Sequence, residues 1–416
     1  MKRLQYLGRG GLALLCTVFA IGAGLAVSEH TALAQGGEPL YRNVPLWPRP
    51  FADDSWVIGS VTGVTVDSQN HVWVAHRGNF SLENNERGMI PTPGGTGQPS
   101  SSVCCMAAPY ILEYDVAGTL LSSWGGSSST YVWPQAVGGI AVDRTGNVWI
   151  TAAGMETPPA TGRGRGGAGG RETAESPPAD AHVLKFTRDG RHLMTIGTAG
   201  KSDGPDSRST LDRPSAVAVD DDAREVFVAD MGNRRVVVFD SNTGAYKRHW
   251  FAYGERSAGA APGPYSPTDK PARSFRDLTC IELTNDGQVF VCDKSSNRIQ
   301  VFDTSGKFLR EAMVAPNTLG GIVAGGFGVL NAAGAVWDIA FSSDSEQQYV
   351  LVADGANKKV HVLSRSDLAE IGSFGAGGRY PGLFLGLGSV ATDSQGNVYT
   401  GENHHGKRVQ KFVPVR

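Results

Sequence analysis

Residues 216–230, AVAVDDDAREVFVAD, and 233–250, NRRVVVFDSNTGAYKRHW, decide the fold of this chain. Each segment contains two short runs rich in Val, Phe, Tyr or Trp. A turn of Asp, Asn, Ser or Gly separates the runs, which is the pattern of a β-hairpin. The two hairpins follow each other almost directly. This stretch therefore predicts four consecutive antiparallel strands.

The first hairpin of this phrase returns along the whole chain, and internal repeats of this kind identify repeat architectures. Six segments align: GVTVDSQNHVWVAH (63–76), GIAVDRTGNVWITA (139–152), AVAVDDDAREVFVAD (216–230), CIELTNDGQVFVCD (280–293), DIAFSSDSEQQYVLVAD (338–354) and SVATDSQGNVYTGE (389–402). A third strand follows every copy. A fourth strand follows the first five copies, and the sixth copy stops after its third strand.

Six such units without helical periodicity predict an all-β fold, a six-bladed β-propeller of four-stranded antiparallel blades. We expect the blades at about 60–125, 137–197, 214–254, 277–314, 336–374 and 387–414. The segment 41–59 is predicted to supply the missing outer strand of the last blade and so to close the ring. A sandwich of two sheets is the alternative, but it does not require the same phrase six times.

The N-terminus has the pattern of a secretory signal. Basic residues precede the apolar run LALLCTVFAIGAGLAV, and ALA at 32–34 matches a signal-peptidase site. We interpret 1–34 as a removed signal peptide, 35–416 as the mature propeller, and the location as secreted or periplasmic. A retained membrane anchor is the alternative, although the run is shorter than the roughly 20 residues that cross a bilayer.

The charge balance limits the class of partner. With 38 Lys and Arg against 40 Asp and Glu, the net charge is −2, which argues against binding to nucleic acid or to anionic membranes. The 55 glycines suit short strands and tight turns better than long helices. We expect a monomer that contacts no nucleic acid, and no membrane beyond the cleaved signal.

Export makes disulfides available to the cysteines. Cys280 and Cys292 flank a hairpin that turns at Asn-Asp-Gly (285–287), which places them opposite each other. We predict a cross-strand disulfide there, with two buried free thiols as the alternative. The adjacent Cys104 and Cys105 have no partner at a zinc-like spacing, so a vicinal disulfide or two free thiols are expected.

The connections of such a propeller divide between its two faces. Turns between strands 1 and 2 and between strands 3 and 4 share one face; the strand 2–3 and blade-to-blade connections share the other. The long insertions fall in the second class: 77–109, 153–181, 126–138, 255–274, 315–336 and 375–388. Loops on a rigid scaffold commonly bind ligands, so we expect function on this face.

The end of strand 2 carries an acid in four copies: Asp230, Asp293, Asp354 and Glu402. We interpret these acids as structural acceptors that hold a tight turn, because they recur once per blade. Blades 1 and 2 have His76 and Ala152 at this position and carry the two longest insertions. This predicts that both blades have lost the turn-fixing acid.

The phrase AVDxxGxVWVADxxNxRVxVFDxxG resembles the NHL-repeat propellers over nearly all of the mature chain. The HRG at 76–78, the insertion after it and the blade order are most similar to the lyase domain of peptidylglycine α-amidating enzymes. The matching Arg of those lyases binds substrate, so the resemblance implies that Arg77, with His76, contacts a ligand. A guanidinium suits bidentate capture of a carboxylate. The alternative is that Arg77 pairs with Glu83 or Glu86 and orders the insertion.

The same resemblance implies zinc held by histidines just before the inner strands of blades 2, 4 and 6. This chain has Gly138, Thr279 and Gly388 at or beside those places, and none of its nine histidines precedes an inner strand. Without convergent imidazoles no metal-bound group is activated, so we predict no cofactor. His404 and His405 in the blade 6 loop are weak metal candidates, with a solvated role as the alternative.

These features together predict an exported, non-catalytic binding protein for a peptide, a glycan or a small carboxylate on the insertion-bearing face. One alternative is an enzyme, a lyase of the peptidylamidoglycolate type with a rearranged site, which would need zinc or calcium. The other is a periplasmic scaffold that recruits a protein partner through its Gly-rich loops.

Overall fold

The computed structural model describes residues 40–83, 86, 89–90, 98–99, 105–154, 180–319 and 334–415. The predicted signal segment at 1–34 lies outside these residues, as does Cys104. Among the described residues, no helix has the length and apolar content that a membrane crossing requires.

Six four-stranded antiparallel sheets form a closed ring. Their strands are, in blade 1, Val61–Val66, Val72–His76, Ile111–Tyr114 and Leu120–Trp124; in blade 2, Val137–Val142, Val148–Ala152, His182–Phe186 and His192–Gly197; in blade 3, Pro214–Asp220, Glu225–Asp230, Arg235–Asp240 and Tyr246–Trp250; in blade 4, Leu278–Leu283, Gln288–Asp293, Arg298–Asp303 and Phe308–Met313; in blade 5, Asp338–Phe341, Tyr349–Asp354, Lys359–Ser364 and Glu370–Phe374; in blade 6, Leu387–Thr392, Val398–Glu402, Arg408–Pro414 and Tyr41–Val44. Each first strand contacts the first strands of both neighbouring blades, so these strands surround the central axis. The predicted six-bladed β-propeller is confirmed.

The ring closes in blade 6, where the two ends of the chain share one sheet. Tyr41 lies opposite Pro414, and Val44 lies opposite Lys411, in an antiparallel pair. The predicted supply of the outer strand from 41–59 is therefore confirmed. Closure of this kind couples the last blade to the first part of the chain and leaves no open edge between blades.

A few short elements lie outside the blades. They are the parallel pair Trp56–Val57 with Met106–Ala107, the antiparallel pair Met89–Ile90 with Gln98–Pro99, and the 3-10 helices Gly78–Ser81, Ala252–Gly254 and Lys294–Ser296. Three of these strands belong to the insertion of blade 1, and the fourth precedes that blade.

The hydrophobic core is divided among the seams between blades. Six clusters of buried side chains lie one at each seam. The second strands Val72–His76 and Val148–Ala152 are buried at every position, because other blades cover both faces of their sheets. This explains why these strands are continuous apolar runs, and why the fourth strand His192–Gly197 alternates with more exposed residues.

Antiparallel order fixes two faces of the ring. The turns between strands 1 and 2 are short, as at Gly287, whose N–H donates to the Thr284 carbonyl at 3.0 Å with φ at +76°. Glycine adopts this φ without steric cost. We call this side the short-turn face. The strand 2–3 and blade-to-blade connections lie on the other side, the insertion face.

Candidate functional site

The acids at the end of strand 2 hold the loops of the insertion face in place. Asp230 accepts the Asp212 N–H at 2.7 Å, and its other oxygen accepts Arg235 Nε at 2.8 Å. Asp293 accepts two N–H groups, from Arg276 and Asp277, each at 2.9 Å. Each acid thus binds the connection that enters its own blade.

The sixth blade repeats this arrangement with a longer side chain. Glu402 accepts the N–H groups of Leu385 and Gly386 at 2.6 and 3.0 Å, and it pairs with Arg408. The fifth blade differs, because Asp354 accepts the Asn357 N–H at 2.8 Å and pairs with His361 at 2.9 Å. The geometry supports a structural role for these acids.

In blade 1, His76 takes over the acceptor role. Its Nδ1 accepts the N–H groups of Gly59 and Gly78, both at 3.1 Å, and its Nε2 donates to the Pro109 carbonyl at 2.8 Å. Both ring nitrogens are therefore engaged, and the side chain is fully buried. Burial lowers the pKa of His76 to about 4, which keeps the imidazole neutral. This geometry favours a structural role for His76 over contact with a ligand.

In blade 2 the acid is displaced rather than lost. Asp180, which lies just before the third strand, accepts the N–H groups of Gln135 and Ala136 at 3.0 and 2.8 Å. It also accepts the Gly154 N–H at 3.1 Å. Blade 1 has lost the acid, as predicted, and uses His76 instead. For blade 2 the prediction was wrong, because Asp180 supplies an acid from another position in the repeat to the same place in space. The only sequence signal for this replacement is that an acid lies just before the third strand of blade 2.

Arg77 lies at the inner end of blade 1. Its N–H donates to the carbonyl of Ser60 at 3.0 Å, just before the first strand, and its side chain is partly exposed. The insertion that follows contacts the loop of blade 6. Glu83 pairs with His405 at 3.3 Å, and Glu86 pairs with Lys407. The closing seam between blades 6 and 1 is thus bridged on the insertion face.

Charged and aromatic residues continue around the axis on this face. We call this set the mouth ring: Arg77, Arg213, Asp277, Lys294, Trp337, Lys358 and His404. Each of these residues lies in the segment just before a first strand or just after a second strand, and the first strands surround the axis. Four members are cationic and Asp277 is acidic, and Asp212 beside the ring pairs with Arg213 at 3.3 Å. The sequence analysis found Arg77 and His404 but missed the other five, which lie at variable positions of the strand 2–3 turns or in the blade-to-blade connections.

Blade 4 contributes an ion pair to the mouth ring. Lys294 Nζ lies 2.8 Å from Asp277 Oδ2, and the Ser295 hydroxyl donates to the same oxygen at 2.9 Å. Burial alone would raise the pKa of Asp277, but Lys294, Ser295 and the nearby charge of Arg213 hold it below its ordinary value. Asp277 is therefore a carboxylate that neutralises one cation of the ring.

Blades 5 and 6 contribute an aromatic recess. Lys294 Nζ lies 4.5 Å from the centre of the Trp337 ring, and the His404 ring meets the same indole edge-on with centroids 6.4 Å apart. A small recess of about 10 Å³ lies beside them, with Lys358 and Asn403 in its wall, which is room for about one water molecule. Burial lowers the pKa of Lys358. Trp337 and Lys358 line its rim, so a ligand would contact them from the open mouth rather than enter the recess.

The histidines of the described residues do not gather at the mouth ring. His404 packs on Trp337, and its carbonyl accepts the Ser60 hydroxyl at 3.1 Å. His405 is half-exposed and pairs with Glu83. Within the described ranges, a single group of three or more side chains has the closeness of metal ligands, namely Asp67, His71 and Glu113. That group lies on the short-turn face, away from the predicted His404 and His405.

The two blade 4 cysteines face each other across a hairpin. Cys280 lies opposite Cys292 in the pairing of the first two strands, and a disulfide joins them. Cys105 is also disulfide-bonded; Cys104 is outside the described residues.

The closed ring of sheets and the loop-bearing mouth define a six-bladed β-propeller with its candidate site on the insertion face. No family model matches the chain. The chain is 26% identical over 259 residues to peptidyl-glycine alpha-amidating monooxygenase A of Xenopus laevis, a match that covers 61% of this chain and 22% of that protein. The enzyme of Mus musculus gives 26% identity over 261 residues, with 61% and 22% covered. The match thus spans less than a quarter of these curated relatives.

Solved propeller structures are also similar. A catalytically inactive virginiamycin B lyase of Staphylococcus aureus with quinupristin gives a TM-score of 0.43 at 12% identity, covering 88% of this chain and 82% of that one. A streptogramin B lyase gives a TM-score of 0.44 at 10% identity, covering 91% and 97%. At these identities the likeness concerns the fold alone.

Proposed function

We propose that this chain is an exported, monomeric propeller of the NHL type that binds a ligand carrying a carboxylate, such as a peptide C-terminus or a small organic acid. The observation that carries the proposal is the mouth ring, in which cations outnumber carboxylates around the half-buried indole of Trp337. Asp277 pairs with Lys294, and Asp212 pairs with Arg213, so Arg77 and Lys358 are the cations that would recognise the ligand.

The chemistry of these groups suits an anion with an apolar neighbour. A guanidinium donates two parallel N–H bonds to a carboxylate, and a hydrogen bond to a charged group contributes about 1.5–3 kcal/mol. The Trp337 ring provides a flat apolar surface next to Lys358. A ligand with a carboxylate and an aromatic or aliphatic group would contact both of these side chains at the mouth.

A matched pair of peptides tests the proposal by calorimetric titration. Acetyl-Phe-Gly with a free C-terminal carboxylate should bind at least about tenfold more tightly than the same peptide with a C-terminal amide. Arg77→Ala and Lys358→Gln should each weaken binding of the acid and leave any binding of the amide unchanged. Arg191→Ala, an exposed cation on the short-turn face, is the control and should bind like the unaltered chain.

Two results would contradict the proposal. Equal affinities for acid and amide would remove the carboxylate from recognition. An equal loss in Arg191→Ala and Lys358→Gln would show that general charge, rather than the mouth ring, attracts the peptide.

The similarity to the amidating monooxygenases supports a second candidate, a lyase that acts on peptidyl-hydroxyglycine with zinc. The test is turnover of an α-hydroxyglycine peptide by the purified chain with added zinc, followed by chromatography of the amide product. Product that disappears in Arg77→Ala would favour the enzyme. Binding of the acid peptide without turnover would favour the binding protein.

A further inference from the structure

On the short-turn face, an Asp after strand 1, an aromatic residue of strand 2 and a Lys of strand 3 form a cluster that occurs in blades 2 and 6. We call this cluster the staple. In blade 2, Trp149 Nε1 donates to Asp143 at 3.3 Å, and Lys185 Nζ lies 4.6 Å above the indole and 3.7 Å from the same Asp. The blade thus neutralises its own buried carboxylate, and a cation on an aromatic face adds stability.

Blade 6 contains the same staple. The Tyr399 hydroxyl donates to Asp393 at 2.9 Å, and Lys411 Nζ lies 5.5 Å above that ring. Lys185 and Lys411 occupy equivalent places, each directly across from the aromatic residue in the strand 2–3 pairing.

Blade 1 keeps the Asp and the aromatic residue of the staple, but the strand 3 residue is an acid instead of Lys. Trp73 Nε1 donates to Asp67 at 3.0 Å, while the residue across from Trp73 is Glu113. The side chains of Asp67 and Glu113 are only 4% exposed. Two buried carboxylates therefore lie together, and the cation comes from the next blade as Arg188, with Nη1 3.2 Å from Asp67.

His71 lies against the same two carboxylates, and Arg188 does not provide a suitable partner for all three side chains. His71 Nδ1 lies 2.8 Å from Glu113 Oε1 and 3.9 Å from Asp67 Oδ2, and it also contacts Arg188 Nη2. A guanidinium only donates and an ionised carboxylate only accepts, so Nδ1 can satisfy one of these neighbours but not both. With His71 neutral, one negative charge also remains in excess over the single guanidinium.

A metal ion would satisfy all three groups at once. The ligand atoms of Asp67, His71 and Glu113 all lie within 4.8 Å of one another, and ligands about 2.0–2.2 Å from a tetrahedral ion are about 3.4 Å apart. Asp67 is already oriented, because its other oxygen accepts the N–H groups of Gln69 and His71 at 2.9 Å. Such outer bonds fix a ligand before the ion arrives.

We propose that Asp67, His71 and Glu113 form a site for a divalent transition-metal ion that competes with the Arg188 guanidinium. One imidazole and two carboxylates are a donor set suited to ions of the zinc type. Access is from solvent, since the side chains of His71 and Arg188 are 26% and 35% exposed. When the ion binds, Arg188 leaves the carboxylates and turns outward. The ion then replaces the positive charge that Arg188 of blade 2 provides to the carboxylates of blade 1.

Cobalt titration of the chelator-treated full chain tests this site, with visible absorption as the signal and zinc as the competitor. One Co²⁺ should bind per chain and be displaced by Zn²⁺. His71→Ala should weaken binding by about tenfold or more, because even the loss of a partner that only orients a ligand costs about tenfold or more. Arg188→Ala should strengthen it by about tenfold, because the competing charge pair is gone.

His405→Ala is the matched control, an exposed histidine on the opposite face, and it should bind Co²⁺ like the unaltered chain. Melting curves in chelator report whether each variant folds. If Arg188→Ala does not fold, Arg188→Gln supplies the same comparison with a neutral side chain. Unchanged binding in His71→Ala, reduced binding in His405→Ala, or no gain in a folded Arg188 variant would each overturn the proposal.

Discussion

Blades 3 and 4 differ from blades 1 and 2 in the residue that accepts the N–H groups of the incoming connection. In blades 3 and 4, an Asp at the end of strand 2 binds the incoming connection and a buried Arg five residues later. In blade 1 a neutral imidazole binds the connection, and in blade 2 an acid at the end of the insertion does so. The fold therefore requires an acceptor at one place in space, because buried N–H groups must be paired.

The two solutions differ in electrostatics. The Asp–Arg pairs carry opposite charges inside the protein, so either partner alone would be costly. His76 carries no charge while its pKa stays near 4. The stability of blades 3 and 4, which we call the regular blades, should thus be sensitive to the loss of one partner. The stability of blade 1 should be sensitive to low pH.

The largest effect is expected for Asp230→Ala. Asp230 and Arg235 are fully buried, so the substitution leaves a guanidinium without its counterion and should lower the free energy of unfolding by about 3–5 kcal/mol. Denaturant unfolding measures this. Asp222→Ala, in an exposed pair with Arg144, is the control and should show no measurable change. A small effect at Asp230 would show that the carboxylate is not needed in the regular blades.

Asp180→Ala should come next, at about 3 kcal/mol. Three backbone N–H groups, from Gln135, Ala136 and Gly154, would lose their acceptor, and each buried unpaired group costs about 1–3 kcal/mol. Asp180→Asn retains one acceptor oxygen and should lose less. Equal losses in the two variants would mean that the negative charge, rather than the hydrogen bonds, is what blade 2 requires.

His76 should make blade 1 sensitive to acid. Its folded pKa of about 4 lies below the ordinary 6.5, so its contribution is complete above pH 6.5 and is lost as the pH falls toward 4. The loss between pH 7.5 and 4.5 should be about 2–3 kcal/mol. His182, whose pKa burial also lowers, titrates in the same direction and adds to the total.

The variant His76→Gln isolates this contribution. Glutamine offers an acceptor and a donor but does not titrate, so the difference in unfolding free energy between the variant and the unaltered chain should shrink as the pH falls. A difference that stays constant from pH 7.5 to 4.5 would show that His76 is not the source.

The smallest effect on stability is expected for Arg77, the residue that follows His76. Arg77 is partly exposed, so Arg77→Ala should change the free energy of unfolding by only about 0.5 kcal/mol, although it should weaken peptide binding. Thermal melting without ligand measures this. A loss comparable to that of a His76 variant would favour the alternative role, in which Arg77 orders the insertion.

Much of the fold follows from local pattern. The hairpin with Asn-Asp-Gly at 285–287 has its turn at Gly287 and brings Cys280 opposite Cys292, because turn residues set the register of the strands beside them. The origin of the closing strand also followed from counting strands, since the sixth copy has one too few. The site was only partly accessible to this reasoning, because Lys294 and Lys358 occupy variable positions of the repeated turn and Trp337 lies in a connection before the repeat.

The sequence by itself determined six units, their four strands, the closure of the ring and the face that carries the insertions. These features depend on neighbours within about 40 residues along the chain, where hydrophobic pattern and turn chemistry act. Only the tertiary structure decided that His76 and Asp180 share one task, and that Arg188 lies between Asp67 and Glu113. These contacts join segments that ring closure brings together, and they depend on the direction of single side chains rather than on the repeat.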